Sequence, residues 1–164
     1  MNTRKRIAIA IGVIFCTLVK LDTAGLGDDT HLLHGLEGVQ VVVEEIQPEV
    51  ERDGLTKAHL KADVERALRM SGIKVLSPEE RVQILSQPIL YLNVNVMKTQ
   101  GSAYVFNVDL SARESGITLR GGMTWAPTWE RGYVGITPSL ASITDYVRDM
   151  VDRFIDAYLT ANPK

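Results

Sequence analysis

An α+β fold is what this sequence predicts: a single mixed, mainly antiparallel sheet with helices packed on one face. Three observations lead there. Two helices, starting after Thr56 and Ser139, each carry a capping residue and one apolar stripe. The middle of the chain alternates apolar and polar residues, as half-buried strands do. The element order, β-α-β-α-β-β-β-α, is neither the strict alternation of an α/β fold nor a segregated one.

The elements follow in order. Residues 39–46 (VQVVVEEI) are rich in β-branched side chains and read as the first strand, ended by Gln47 and Pro48. Residues 50–54 read as a turn-rich connector. Thr56 then caps a helix, and Leu55 before it pairs with Leu60 as a hydrophobic staple. Leu60, Val64, Ala67 and Leu68 recur at helical spacing, and Gly72 supplies the left-handed stop. Residues 73–76 (IKVL) read as a short strand. Ser77, Pro78 and Glu80 form a helix start, which predicts a second helix over 78–85, ended by Pro88.

Residues 89–97 place Leu90, Leu92, Val94 and Val96 on one face and Tyr91, Asn93, Asn95 and Met97 on the other. Residues 103–113 repeat the pattern, with Tyr104, Phe106, Val108 and Leu110 inward. The two runs predict an antiparallel hairpin with one wet face. Residues 114–116 read as a turn into a fifth strand over 117–126, where Gly121 and Gly122 mark a bulge or a close approach. Trp125 is expected on its core face. Residues 127–138 (PTWERGYVGITP) have no clear period and read as an irregular loop. The last helix is expected over 140–160, with Asn162 and Pro163 ending it.

The chain has 164 residues, enough for one domain. Arg4, Lys5 and Arg6 precede an uninterrupted apolar run over 7–19, the basic and apolar regions of a secretory signal. A stable span needs about 20 apolar residues. The expected organisation is therefore a signal peptide at 1–24, with an uncleaved anchor as the alternative, a flexible arm at 25–36 and a single domain at 37–164. The expected location is periplasmic or secreted, in a bacterium.

Removing residues 1–24 takes away four basic residues and one acid and moves the net charge from −2 to −5. A mildly acidic domain without a basic cluster is not a nucleic-acid binder. The one cysteine, Cys16, lies inside the signal, so the mature chain has no thiol for a disulfide or a nucleophile.

Acid–base catalysis needs carboxylates with shifted pKa values in a cleft. Glu44, Glu45, Glu79, Glu80 and Asp109 are available, and strand-end or helix-start duty explains each. His31 and His34 stand three apart near Asp28 and Asp29, but a full ligand set is not visible. No phosphate loop or serine elbow occurs. The reading is therefore no catalytic, cofactor-binding or metal-binding residue and no cofactor. Trp129 and Tyr133 are the candidate binding residues, because aromatic side chains on a loop anchor partners or stack on sugars.

Residues 55–68 (LTKAHLKADVERAL), 72–80 (GIKVLSPEE), 91–96 (YLNVNV) and 147–163 (VRDMVDRFIDAYLTANP) resemble an uncharacterised family of small exported bacterial proteins. The architecture is also similar to the N-terminal domain of TolB and to the peptidoglycan-synthase activator lipoproteins. That resemblance implies an interaction module, though the acylated cysteine of the lipoproteins is missing here. The expected function is a non-catalytic module that binds another envelope protein or assembles with itself, by strand addition at a sheet edge. The alternative is a periplasmic protein that binds a small ligand or glycan through Trp129 and Tyr133; a carboxylate hydrolase stands third.

Overall fold

The computed structural model describes residues 29–118 and 120–163. The expected secretory signal lies outside them. The described chain forms one α+β unit around a four-stranded mixed sheet, with strands β1 (Gln40–Val43), β2 (Ile89–Lys98), β3 (Tyr104–Ile117) and β4 (Met123–Thr137). They lie side by side in sequence order; β1 runs parallel to β2, and β2, β3 and β4 are mutually antiparallel. Helices α1 (Pro48–Arg52), α2 (Lys57–Met70), α3 (Pro78–Arg81) and α4 (Leu140–Ala161) complete the fold, with a 3-10 turn at Asp29–Leu33.

The two long helices form for local reasons. The Thr56 hydroxyl accepts the His59 N–H at 3.2 Å and caps α2. At its other end Gly72 (φ +78°) and Ile73 donate to the carbonyls of Arg69 and Leu68, the Schellman arrangement. Leu60, Val64 and Leu68 are the buried stripe between these ends. In α4 the Ser139 hydroxyl accepts the Ala141 N–H, and Ile143, Val147, Met150, Val151, Phe154 and Ile155 face inward. These stripes meet Leu90, Leu92, Val94 and Val96 of β2 and Phe106, Val108, Leu110 and Ala112 of β3 in one core. Each such side chain, once fully buried, stabilises the fold by about 1.5–3 kcal/mol.

Five expectations are corrected. Residues 73–76 are not a strand of the sheet: Val39 and Val75 make one isolated parallel bridge. Gly38 brings β1 to that segment, where any Cβ would stand 2.5 Å from the Lys74 carbonyl oxygen. The expected helix over 78–85 is only one turn long. Its capping box at Ser77 and Glu80 forms, but the turn buries no side chain, so packing does not extend it. The connector after β1 is instead the short helix α1, started by Pro48 and held by buried Val50.

The described part of the expected flexible arm, 29–36, is packed. Leu33 and Leu36 are in the core. Asn162, just past α4, donates to the Leu33 carbonyl at 2.8 Å and accepts the Gly35 N–H at 2.8 Å. The Tyr158 hydroxyl donates to the Leu36 carbonyl at 2.6 Å, and burial holds its pKa above the usual tyrosine value. Two leucines and a clasp to the end of α4 outweigh the polar composition of the segment.

The fifth correction concerns β3 and β4. Residues 114–116 are not a turn; β3 runs through them to Ile117. The turn lies at 118–122, where Gly121 adopts φ +80°. Residues 127–137 are not a loop but most of the longest strand, β4.

Candidate functional site

The pairing of β3 with β4 divides β4 into two halves. Tyr104 to Ala112 of β3 face Thr137 to Trp129, and Arg113 to Ile117 face Pro127 to Met123. The register slips between Ala112 and Arg113, so Thr128 is an extra residue, a β-bulge. Trp125 and Trp129 are four residues apart and would share a face in a regular strand. The bulge puts them on opposite faces.

Trp129 therefore faces inward. It is 2 % exposed, meets Phe154 of α4 edge-on at 5.4 Å, and carries the Arg131 guanidinium 5.2 Å from its ring. Tyr133 also faces inward, 5.2 Å from Tyr146, and its hydroxyl donates to Asp149 at 2.6 Å. Both candidate residues thus sit in the core, and their rings offer no open face for a sugar to stack on. The loop assignment of 127–138 was the cause of that reading. The exposed tryptophan is Trp125, at 45 %.

Trp125 belongs to a two-stranded ribbon. β2 pairs with β3 only as far as Arg113, so residues 114–117 and 123–126 run on beyond the sheet. Ile117 and Met123 face each other at the tip, with Ser115 and Trp125 behind them on the same face. The segment 82–88 braces the root: Ser115 donates its N–H to the Ser86 carbonyl at 2.6 Å and its hydroxyl to the Leu85 carbonyl at 3.2 Å. Arg81 places its guanidinium 5.6 Å over the Trp125 ring and donates to Gln87 at 3.3 Å.

Large apolar side chains gather on this end of the molecule. Leu85 is 96 % exposed, Ile117 76 %, Met123 69 % and Val82 50 %. Such residues are ordinary when scattered; several on one braced projection make it the candidate contact surface. Residues 115–129 carry no carboxylate, in a chain with 20 acidic residues. Arg120 stands exposed in the turn.

Two other surfaces stand out. A groove of about 380 Å³ runs between α2 and α4 over Leu60, Val64, Val147 and Val151. Its rims are tied into ion pairs, Arg66 with Asp63 at 3.0 Å and Arg148 with Asp145 at 2.7 Å, and Ser71, Thr144 and Asp152 also line it. The open sheet face holds Asn93, Asn95, Asn107 and Asp109, which bond to one another within each strand. Beside them Arg113 lies 3.9 Å over the Tyr91 ring, and the Tyr91 hydroxyl donates to Glu44.

The remaining candidate carboxylates, Glu45, Glu79 and Glu80, are engaged structurally. Glu45 pairs with Lys57. The Ser77 hydroxyl donates to Glu79, and the Ser77 N–H to Glu80, which also pairs with Lys74. These bonds hold both carboxyls below the usual glutamate value, the opposite of the shift a general acid needs. His34 Nδ1 lies 2.9 Å from the Ala161 carbonyl. Among the described residues no three of His, Cys, Asp and Glu come together as a metal site, and none of their helices is long and apolar enough to cross a membrane.

No family model matches the chain, and no curated protein or solved structure matches it.

Proposed function

We propose that this protein is an exported, non-catalytic docking domain of the bacterial envelope, periplasmic or secreted, and that the β3–β4 ribbon is its contact surface. The observation that carries this reading is that Ile117, Met123 and Trp125 are exposed together on a projection braced by the segment that carries exposed Leu85. Burying such a cluster against a partner is favourable at about 25 cal/mol per Å² of apolar area. Because Ser115 is bonded back to residues 85 and 86, the ribbon starts ordered, which lowers the entropy cost of docking. Trp129 and Tyr133 support it from below rather than touching the partner.

The test is position-specific photocrosslinking in the native envelope. A photoreactive residue at 117 or 123 is expected to give discrete adducts, and the same residue at Lys61 on the exposed side of α2 none. Adducts of equal yield at all three positions, or adducts to neither protein nor lipid at any of them, would reject the ribbon as the contact surface.

A further inference from the structure

We infer that the ribbon is a lipid-surface anchor, whose tip enters the headgroup region of an anionic bilayer with Ile117 and Met123 leading, Trp125 behind them and Arg120 among the phosphates. This rests on the reading of the ribbon as the docking surface and adds what it docks to.

Four features point to lipid. First, the leading pair is aliphatic and thioether, and both side chains are more than two-thirds exposed. Second, Trp125 sits one step back on the same face, about 7 Å along the strand. That is the place of an interfacial tryptophan, whose ring prefers the headgroup level. Third, the charge has the right sign. The stretch 115–129 is free of carboxylates and carries Arg120 in its turn, although the chain as a whole is acidic. A cation near an anionic leaflet is favoured, and an acid there would be repelled.

Fourth, three backbone N–H groups of the turn are paired within it. Thr118 N–H donates to the Gly122 carbonyl and Gly121 N–H to the Thr118 carbonyl, each at 2.8 Å, and Gly122 N–H donates to the Thr118 hydroxyl at 3.1 Å. A tip entering a poorly hydrated layer loses free energy for every orphan N–H, and these three are paired. A protein strand is the less suited occupant. Pro127 removes a donor from the ribbon's part of β4, and the bulge at Thr128 breaks the ladder an added strand would follow.

The test uses the full chain with vesicles of phosphatidylglycerol or of phosphatidylcholine, each with and without brominated acyl chains that quench nearby tryptophan. The chain has two tryptophans, and Trp129 is buried, so quenching reports Trp125. It also separates the ribbon from the apolar run at 7–19, which can bind vesicles by itself. Brominated phosphatidylglycerol is expected to quench the wild type. Quenching is expected to vanish in Trp125→Phe and in the double variant Ile117→Asp, Met123→Asp. Arg120→Glu should weaken the phosphatidylglycerol response several-fold and leave the phosphatidylcholine response unchanged. All substituted positions are exposed, and urea midpoints check that each variant folds.

Equal emission with brominated and ordinary vesicles overturns the lipid anchor, as does quenching that persists in the double variant. If quenching is absent while positions 117 and 123 crosslink to protein in the envelope, the lipid anchor falls and the docking reading stands. If both are absent, both fall.

Discussion

The two halves of β4 belong to one strand, yet they do opposite work. From Trp129 to Thr137 the strand lies on the sheet and turns its aromatic side chains to α4. From Met123 to Pro127 it leaves the sheet and turns its large side chains to solvent. Each half has a tryptophan, a threonine and an aliphatic or thioether residue, and the inner half adds Glu130, Arg131 and Tyr133. What differs is the partner on the far side of β3. Where β2 and the helices back the hairpin, alternation produces a core. Where they stop, the same alternation produces an exposed apolar face. Aromatic content alone therefore does not locate a binding surface.

The largest expected effect separates the two tryptophans. Trp129→Ala should cost about 3–5 kcal/mol, because it empties a packed site against Phe154. Trp125→Ala should stay within about 0.5 kcal/mol. Urea unfolding followed by circular dichroism measures both, and equal losses would break the contrast. Next in size is Gly121→Val. Its φ of +80° strains a β-branched residue by about 1–2 kcal/mol. Hydrogen exchange should quicken at residues 114–126 and stay slow at 129–137; uniform quickening would make β4 one cooperative unit.

Tyr133→Phe should lose about 1 kcal/mol with the hydroxyl bond to Asp149, since the ring stays packed against Tyr146. Thermal melts would show it, and a loss as large as that of Trp129→Ala would mean the hydroxyl anchors the inner half. The smallest effect lies at the other end of the sheet. Lys98 first, and then Tyr104, donate to Asp53 and hold its carboxyl below the ordinary 3.8. A carboxyl depressed in the folded state stabilises above its unfolded value and loses that contribution as pH falls below it. Acid unfolding of Asp53→Asn should lack this component, while the ribbon variant Met123→Asp should keep it.

The legible parts of the fold share one property: their interactions close within a few residues. Thr56 with His59, Gly72 with Arg69, and Ser77 with Glu80 all lie within one turn of chain. The stripes of α2 and α4 and the alternation of β2 and the first part of β3 are read the same way, because one face of each is buried throughout. The candidate site was legible only as a neighbourhood. The aromatic content of 125–133 singles out β4, but Trp129 and Tyr133 are its inner residues and Trp125 its outer one. An extra residue at Thr128 breaks the period on both sides, so the strand looks like a loop. Pro127 beside it is the one local sign, since proline in a sheet is confined to edges and bulges.

By itself the sequence determined the α+β class, the two long helices with their caps and stops, and the inward faces of the central strands. Tertiary structure alone decided the bulge opposite Arg113, the ribbon that outruns β2, and the clasp of Leu33 to Asn162, 129 residues away. The reason is the range of the forces involved. Caps and periodic stripes are satisfied by neighbours along the chain, whereas register and docking depend on which distant backbone groups find each other once the core has formed.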